Sequence, residues 1–411
     1  MMTMRRVVTA LTAPCAGGSK VRGTPSVKQR DTWHRFFRTP VSDLDLPRSN
    51  RGANGDSAGA TGYHPFANGS LRVNAPLDEF EFFLEKEWSD GFPVVTPTAA
   101  RVRRMLEGTR RDPDELVAHV PPAGEPATVR TVAIHALMAG CKPEYLPVVL
   151  GALELIAREE FNMGGVQCTM HGVAPLMIVN GPYAQRIGLH GGAGCFGPGF
   201  RANATIGRAI RLMLLNLGGG IAGSASATVF SSPIRYTACL AENMAETPWE
   251  SLAVSRGYAP DDDVITCAMV ESPRLHFDDV STEPTRLLAG IADAMTAPGS
   301  WNMWFTSDMV VAMSPQHARL CARAGLGRNE VVQRLAALAV RSQENLKRGG
   351  NWRPERARAM GLDPDDDQAR VKAVKDPGRL HLIVAGGLGP ITAVCHGWNE
   401  SSRFVHGKYA V

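Results

Sequence analysis

Apolar residues in this chain fall into two patterns. Short runs rich in β-branched residues and closed by small residues and proline recur at APLMIVNGP (174–182), DMVVAMSP (308–315) and LHLIVAGGLGP (380–390). RYTACLAE (235–242) and VITCAMVE (264–271) have a similar form. Apolar runs of that length, bounded by turn residues, predict buried strands. Between them, helical periodicity covers 203–217, 284–296, 315–325 and 328–340. Strands alternating with helices predict an α/β fold whose mixed or mostly parallel sheet is covered by helices on both faces. The recurrence of strand followed by proline hints at an internal duplication, although no repeat period stands behind it.

Upstream, DEFEFFLEKEW reads as a helix from Asp78, and Asp90-Gly91 as a turn. Thr96 then caps a second helix with Pro97 in its first turn. VRTVAIHALMAG is a helix stopped by Gly140, and Pro143 opens another in PEYLPVVLGALELIAREE, so Cys141 sits at a tight corner between them. Before Asp78 the pattern is lost. Residues 47–76 are polar and glycine-rich, and the first forty are arginine-rich with a single acid, as in an organellar presequence, a plain tail or a misplaced start. The expected organisation is a disordered basic extension over 1–77 and an α/β catalytic-type core over 78–411. A sub-boundary is expected near 275–300, and a charged surface insertion at 342–379.

Charge sharpens that division. The 411 residues carry a formal +4, but residues 1–77 hold eleven Lys/Arg against four Asp, leaving 33 basic and 36 acidic groups for the rest. The core is therefore no polyanion binder by charge, and no nucleic-acid partner is expected. Apolar stretches are too short or too broken for a membrane span. The eight cysteines lack the regular spacing of a disulfide framework, which points to reduced thiols in a cytoplasm.

The densest polar stretch is 162–220, with seven glycines between Gly181 and Gly199. Gly192, Gly194 and Gly197 satisfy G-x-G-x-x-G, yet Pro198 interrupts the run into the helix, against a dinucleotide fingerprint. The better reading is a glycine loop feeding the start of a helix near Ala202 or Asn203, where free N–H groups favour an anion. Arg201, Asn203, Thr205 and Arg208 would then contribute to a site for a small anionic substrate. Cys141, beside a helix start and Lys142, has the surroundings of an activated thiol, and His171 is a candidate base. Glu242 and Asn243, following a strand, are candidates for substrate positioning. Cys168, His171, His190 and Cys195 supply the donor types of an alternative metal site, at a spacing that matches no metal signature. No cofactor is indicated.

Several blocks resemble those of a widespread, uncharacterised bacterial protein family. They are DGFPVVTPTAARVRRML, MAGCKPEYLPVVL, APLMIVNGP, FGPGFRANATIGRAIRLMLLNLGG and AENMAETPWESLAVSRGYAP, and they span about 85–275. Members are sometimes found beside thioredoxin-related or UGSC-type (seleno)proteins, so the resemblance implies such a protein partner. It places Cys141, Pro143, Glu144 and Tyr145, then Arg201, Asn203, Thr205 and Arg208, then Glu242 and Asn243, in the family blocks. Where the family reads SPWEPLHVERGF this chain reads TPWESLAVSRGY, which removes the ground for a role at 252–258. The expected function is a thiol-dependent enzyme, an oxidoreductase or carbon–heteroatom lyase, acting on a small anion and assembled as a homo-oligomer. A metal-dependent enzyme and a non-enzymatic scaffold subunit are the alternatives.

Overall fold

The computed structural model describes residues 78–297, 299–349 and 352–409; the basic extension over 1–77 lies outside the described residues. Asp78 caps α1 (Glu79–Glu85), its carboxylate accepting from the Phe80 and Glu81 amides. After α2 (Ala99–Leu106), a hairpin of β1 (Leu116–Val120) and β2 (Glu125–Thr128) leads into α3 (Val129–Ala139). Thr128 caps α3, and Gly140, at φ 93°, ends it in the left-handed conformation glycine tolerates. The chain continues through α4 (Leu146–Ile156) and α5 (Met163–Cys168).

From here the chain follows one plan twice. The first unit runs β3 (Ala174–Asn180), α6 (Pro182–Arg186), α7 (Arg201–Asn216), β4 (Cys239–Ala241), α8 (Leu252–Ser255), β5 (Val264–Val270) and β6 (Arg274–Phe277). Then α9 (Pro284–Met295) and α10 (Trp301–Trp304) lead into β7 (Met309–Met313), α11 (Pro315–Arg323) and α12 (Arg328–Leu338). An insertion of β8 (Val340–Ser342), α13 (Gln343–Lys347), α14 (Pro354–Ala359) and β9 (Arg370–Lys372) follows. The second unit closes with β10 (Leu380–Val384), β11 (Ile391–His396) and β12 (Val405–Lys408).

Each unit places its first strand at the centre of a four-stranded mixed sheet, with its second strand parallel on one side and its third antiparallel on the other. The fourth strands are exchanged. The orders are β12-β5-β3-β4 and β6-β11-β7-β10, so the last strand of each unit completes the sheet of the other. The duplication hinted at by the strand–proline recurrence is thus present as repeated topology. The segment between β6 and β7, which holds α9 and α10, joins the units, while β6 and β12 cross between them.

Alternation along the second sheet sends its two faces into different cores. Val310, Ala312, Ile383, Ala393 and Cys395 join the core of the first sheet, whereas Met309, Val311, Met313, Leu382 and Val394 pack with α9, α11 and α12. The layers are therefore α4 and α7, first sheet, second sheet, then α9 and α12. Fully buried Leu176, Met177 and Ile178 each contribute about 1.5–3 kcal/mol by burial. Two glycines let β12 dock on α4. A Cβ at Gly151 would lie 2.5 Å from that of Tyr409, and one at Gly407 would lie 2.7 Å from Leu155. The charged stretch 342–379 is solvated outside, but Leu346, Trp352, Ala357 and Val371 are buried in the second core. No helix among the described residues is long and apolar enough to cross a membrane.

Candidate functional site

The glycine loop between α6 and α7 lies across the ends of β4 and β10. Gly192 bridges Gly386, and the Asn243 amide donates to the Val384 carbonyl at 2.8 Å while its side chain donates to the Gly386 carbonyl at 3.1 Å. A Cβ at Gly191 would stand 2.4 Å from the Ala241 carbonyl oxygen, so glycine here permits backbone to pack on backbone. From α7, Asn203 accepts from the His190 amide and donates to the His190 and Cys195 carbonyls. His190 stacks on Phe200 at 3.7 Å. Gly192, Gly194, Gly197, Asn203 and Asn243 thus do come together, in a seam between the two units whose polar groups bond to one another.

The two arginines of this region have separate tasks. Arg208 grips the Asp90 carboxylate through two nitrogens, at 2.7 and 2.8 Å, and also donates to the Phe92 and Pro93 carbonyls, fixing the turn before α2. Arg201 is exposed and donates to the Gly140 carbonyl, beside the Thr205 hydroxyl, which is bonded back to the Arg201 carbonyl.

Cys141 is buried at the corner of α3, against this Thr205. Burial pushes its thiol up to about 12, outweighing the hydrogen bond from Thr205 and the fields of Arg201 and Arg208. The expectation of a favoured thiolate is corrected accordingly, because desolvation of a buried anion exceeds what two nearby cations return. His171 is elsewhere: its Nε2 lies 2.7 Å from Glu271, and its ring stacks on Trp301 at 4.7 Å. Glu242 is fully enclosed, paired with Arg328 at 2.5 Å, and accepts from Asn180 at 2.9 Å and the Leu252 amide at 2.7 Å. That network ties the end of β4 to the start of α12 and α8. Cys168, His171, His190 and Cys195 do not assemble, and no group of three or more such ligands at metal-binding geometry occurs among the described residues.

A different constellation lies where the exchanged strand β12 passes over β10. A cavity of about 360 Å³ there is lined by His381, His406, Tyr258, Arg256, Arg158 and Arg403, and by one further carboxylate besides Asp308, that of Glu160. Arg256 Nη2 donates to His381 Nδ1 at 2.9 Å; its other partners are the Gly378 and Leu380 carbonyls. This half-buried cation therefore bonds only neutral acceptors. Because guanidinium can only donate, His381 carries its proton on Nε2, which is buried without a protein partner. Burial first, then the surrounding cations, hold the His381 imidazole well below the ordinary histidine range. His406, 5.2 Å away ring to ring and bonded through Nδ1 to the Thr266 hydroxyl, is lowered to about 4 by burial. Asp308, also in the wall, is neutralised by Arg379 and accepts from the Phe404 amide at 2.7 Å.

These residues escaped the sequence reading because they come from five separated segments. The one legible signal is a histidine interrupting the apolar strand LHLIV. Position 256, in a stretch given no role above, supplies the central cation.

Two α/β units with exchanged strands, closing an arginine- and histidine-walled cavity, define the architecture. Compared with family models, curated proteins and solved structures, the chain matches none.

Proposed function

We propose that this protein is an enzyme acting on a small anionic substrate held between β10 and β12. Arg256, Arg158 and Arg403 bind the anion, the His381 Nε2–H donates a hydrogen bond to it, and His406 exchanges a proton with it. The observation that carries the reading is the Arg256–His381 bond. A cation that bonds only neutral groups, beside an unpartnered N–H in a 360 Å³ cavity, favours a ligand with negative charge and hydrogen-bond acceptors. Held below the ordinary histidine range, both imidazoles stay neutral in the empty cavity, and a bound anion raises their proton affinity toward the range that general acid–base work requires. A nucleophilic thiolate at Cys141 is not part of this proposal, because burial holds that thiol protonated.

Calorimetric titration with phosphate, sulfate and small mono- and dicarboxylates tests it. At least one anion should bind, and Arg256→Gln should weaken it by about tenfold or more, the worth of roughly one charge-assisted bond. No binding to the unaltered protein, or equal binding by Arg256→Gln, would defeat the reading.

A further inference from the structure

A second, larger cavity of about 1060 Å³ opens between α10, α14 and β9, on the charged insertion. Its lining divides into two kinds of surface. Its apolar side chains include Trp304, Phe305, Met360 and Leu362. It also carries five cations, Arg353, Arg356, Arg370, Lys372 and Lys375, against two carboxylates, Glu355 and Glu400.

Strand periodicity explains part of this concentration. In β9, Arg370 and Lys372 flank buried Val371, so both project on the same exposed face. Arg356 brings the two kinds of surface together: it donates to the Trp304 carbonyl at 2.9 Å, and its guanidinium lies 4.5 Å from the Phe305 ring centre. Among the described residues no acid of the neighbouring 363–367 run forms an ion pair with the cluster, and Asp367 is paired with Lys347 at 2.5 Å. Among the described residues, no ion pair involves Arg353, Arg370, Lys372 or Lys375. Like charges so gathered repel one another, a cost that a polyanionic ligand relieves.

We infer that this groove binds a ligand carrying several phosphate-like charges at one end and a planar ring at the other, the class of the nucleoside polyphosphates. The volume of about 1060 Å³ is just above the roughly 300–1,000 Å³ usual for small-molecule sites. Cations and aromatic and thioether side chains line the same groove, so a molecule with both features is matched by it. This site is separate from the cavity between β10 and β12, and its test is independent of that proposal.

The experiment is calorimetric titration of the full chain in magnesium-free buffer with ATP, inorganic tripolyphosphate and adenosine. ATP should bind, tripolyphosphate should bind at least about tenfold more weakly, and adenosine more weakly still, because each lacks one of the two matched surfaces. The double variant R370E/K372E, altered only at exposed positions, should lose at least about tenfold in ATP affinity with its unfolding midpoint unchanged; R370Q/K372Q should lose less. Three results would overturn the inference: no ATP binding, tripolyphosphate binding as tightly as ATP, or R370E/K372E binding like the unaltered protein.

Discussion

Val270 and Gly397 pair across an isolated antiparallel bridge, and they occupy equivalent places in the two units. The register shows it. Cys267 of β5 faces Val405 of β12, Val394 of β11 faces Arg274 of β6, and each member of the bridge lies three residues beyond its counterpart. The bridge therefore marks the local two-fold axis about which the fourth strands are exchanged. Gly397 is held there by the close passage of the Asp308 backbone, whose carbonyl oxygen would lie 2.1 Å from an added Cβ.

Gly397→Ala should accordingly destabilise the protein by about 1–3 kcal/mol or more, since the obstacle is backbone and cannot swing aside. Urea unfolding followed by far-UV circular dichroism measures it; an unchanged midpoint would contradict the axial packing.

The Glu242–Arg328 pair predicts a characteristic asymmetry. Removing one partner in Arg328→Met strands a carboxylate that is otherwise fully enclosed, and should cost about 3–5 kcal/mol. Adding Glu242→Leu to that variant should recover much of the loss. A double-mutant cycle in denaturant reads both quantities, and additivity of the two changes would argue against direct coupling.

At Cys141 the expected behaviour is inertness. With its thiol pushed up to about 12 by burial, native Cys141 should resist iodoacetamide at pH 7–9 and react only on unfolding. Site-resolved mass spectrometry decides this, and an apparent pKa below the ordinary value of about 8.5 would restore the thiolate reading.

Two histidines predict acid sensitivity. His135 and His406 are lowered to about 4 by burial, against 6.5 when unperturbed. Between those values the unfolded chain binds more protons than the fold, so stability rises with pH across that window. It is lost as pH falls from about 6.5 towards 4, by up to about 3 kcal/mol per group. Denaturant midpoints measured from pH 7 to 4 should show this slope, and His406→Gln should flatten it; an unaltered slope in that variant would remove His406 as a contributor.

What the sequence revealed follows from where apolar residues are contiguous. β3, β5, β7 and β10 are buried nearly throughout and stand out as apolar runs. The edge strands β6 and β12 are short and carry Arg274, His276, His406 and Lys408, so nothing local marks them, and the exchange they make is set by tertiary pairing alone. The glycine loop was legible as a place of close approach, but which atoms approach, here the backbone of the other unit, is fixed only by topology. Charge concealed the buried anchors Leu346, Trp352 and Val371 within 342–379.

The exchange of β6 and β12 bears on how this molecule is made. Cys267 finds its edge partner at Val405, so the first sheet stays open along β5 until almost all of the described chain has been synthesised. Closing so long a loop costs entropy before any pairing compensates for it, and contacts this distant in sequence slow folding. A nascent first unit leaving the ribosome exposes a bare strand edge of the kind that recruits other chains. Its own second half is the cap that edge awaits, which makes the two halves one folding unit.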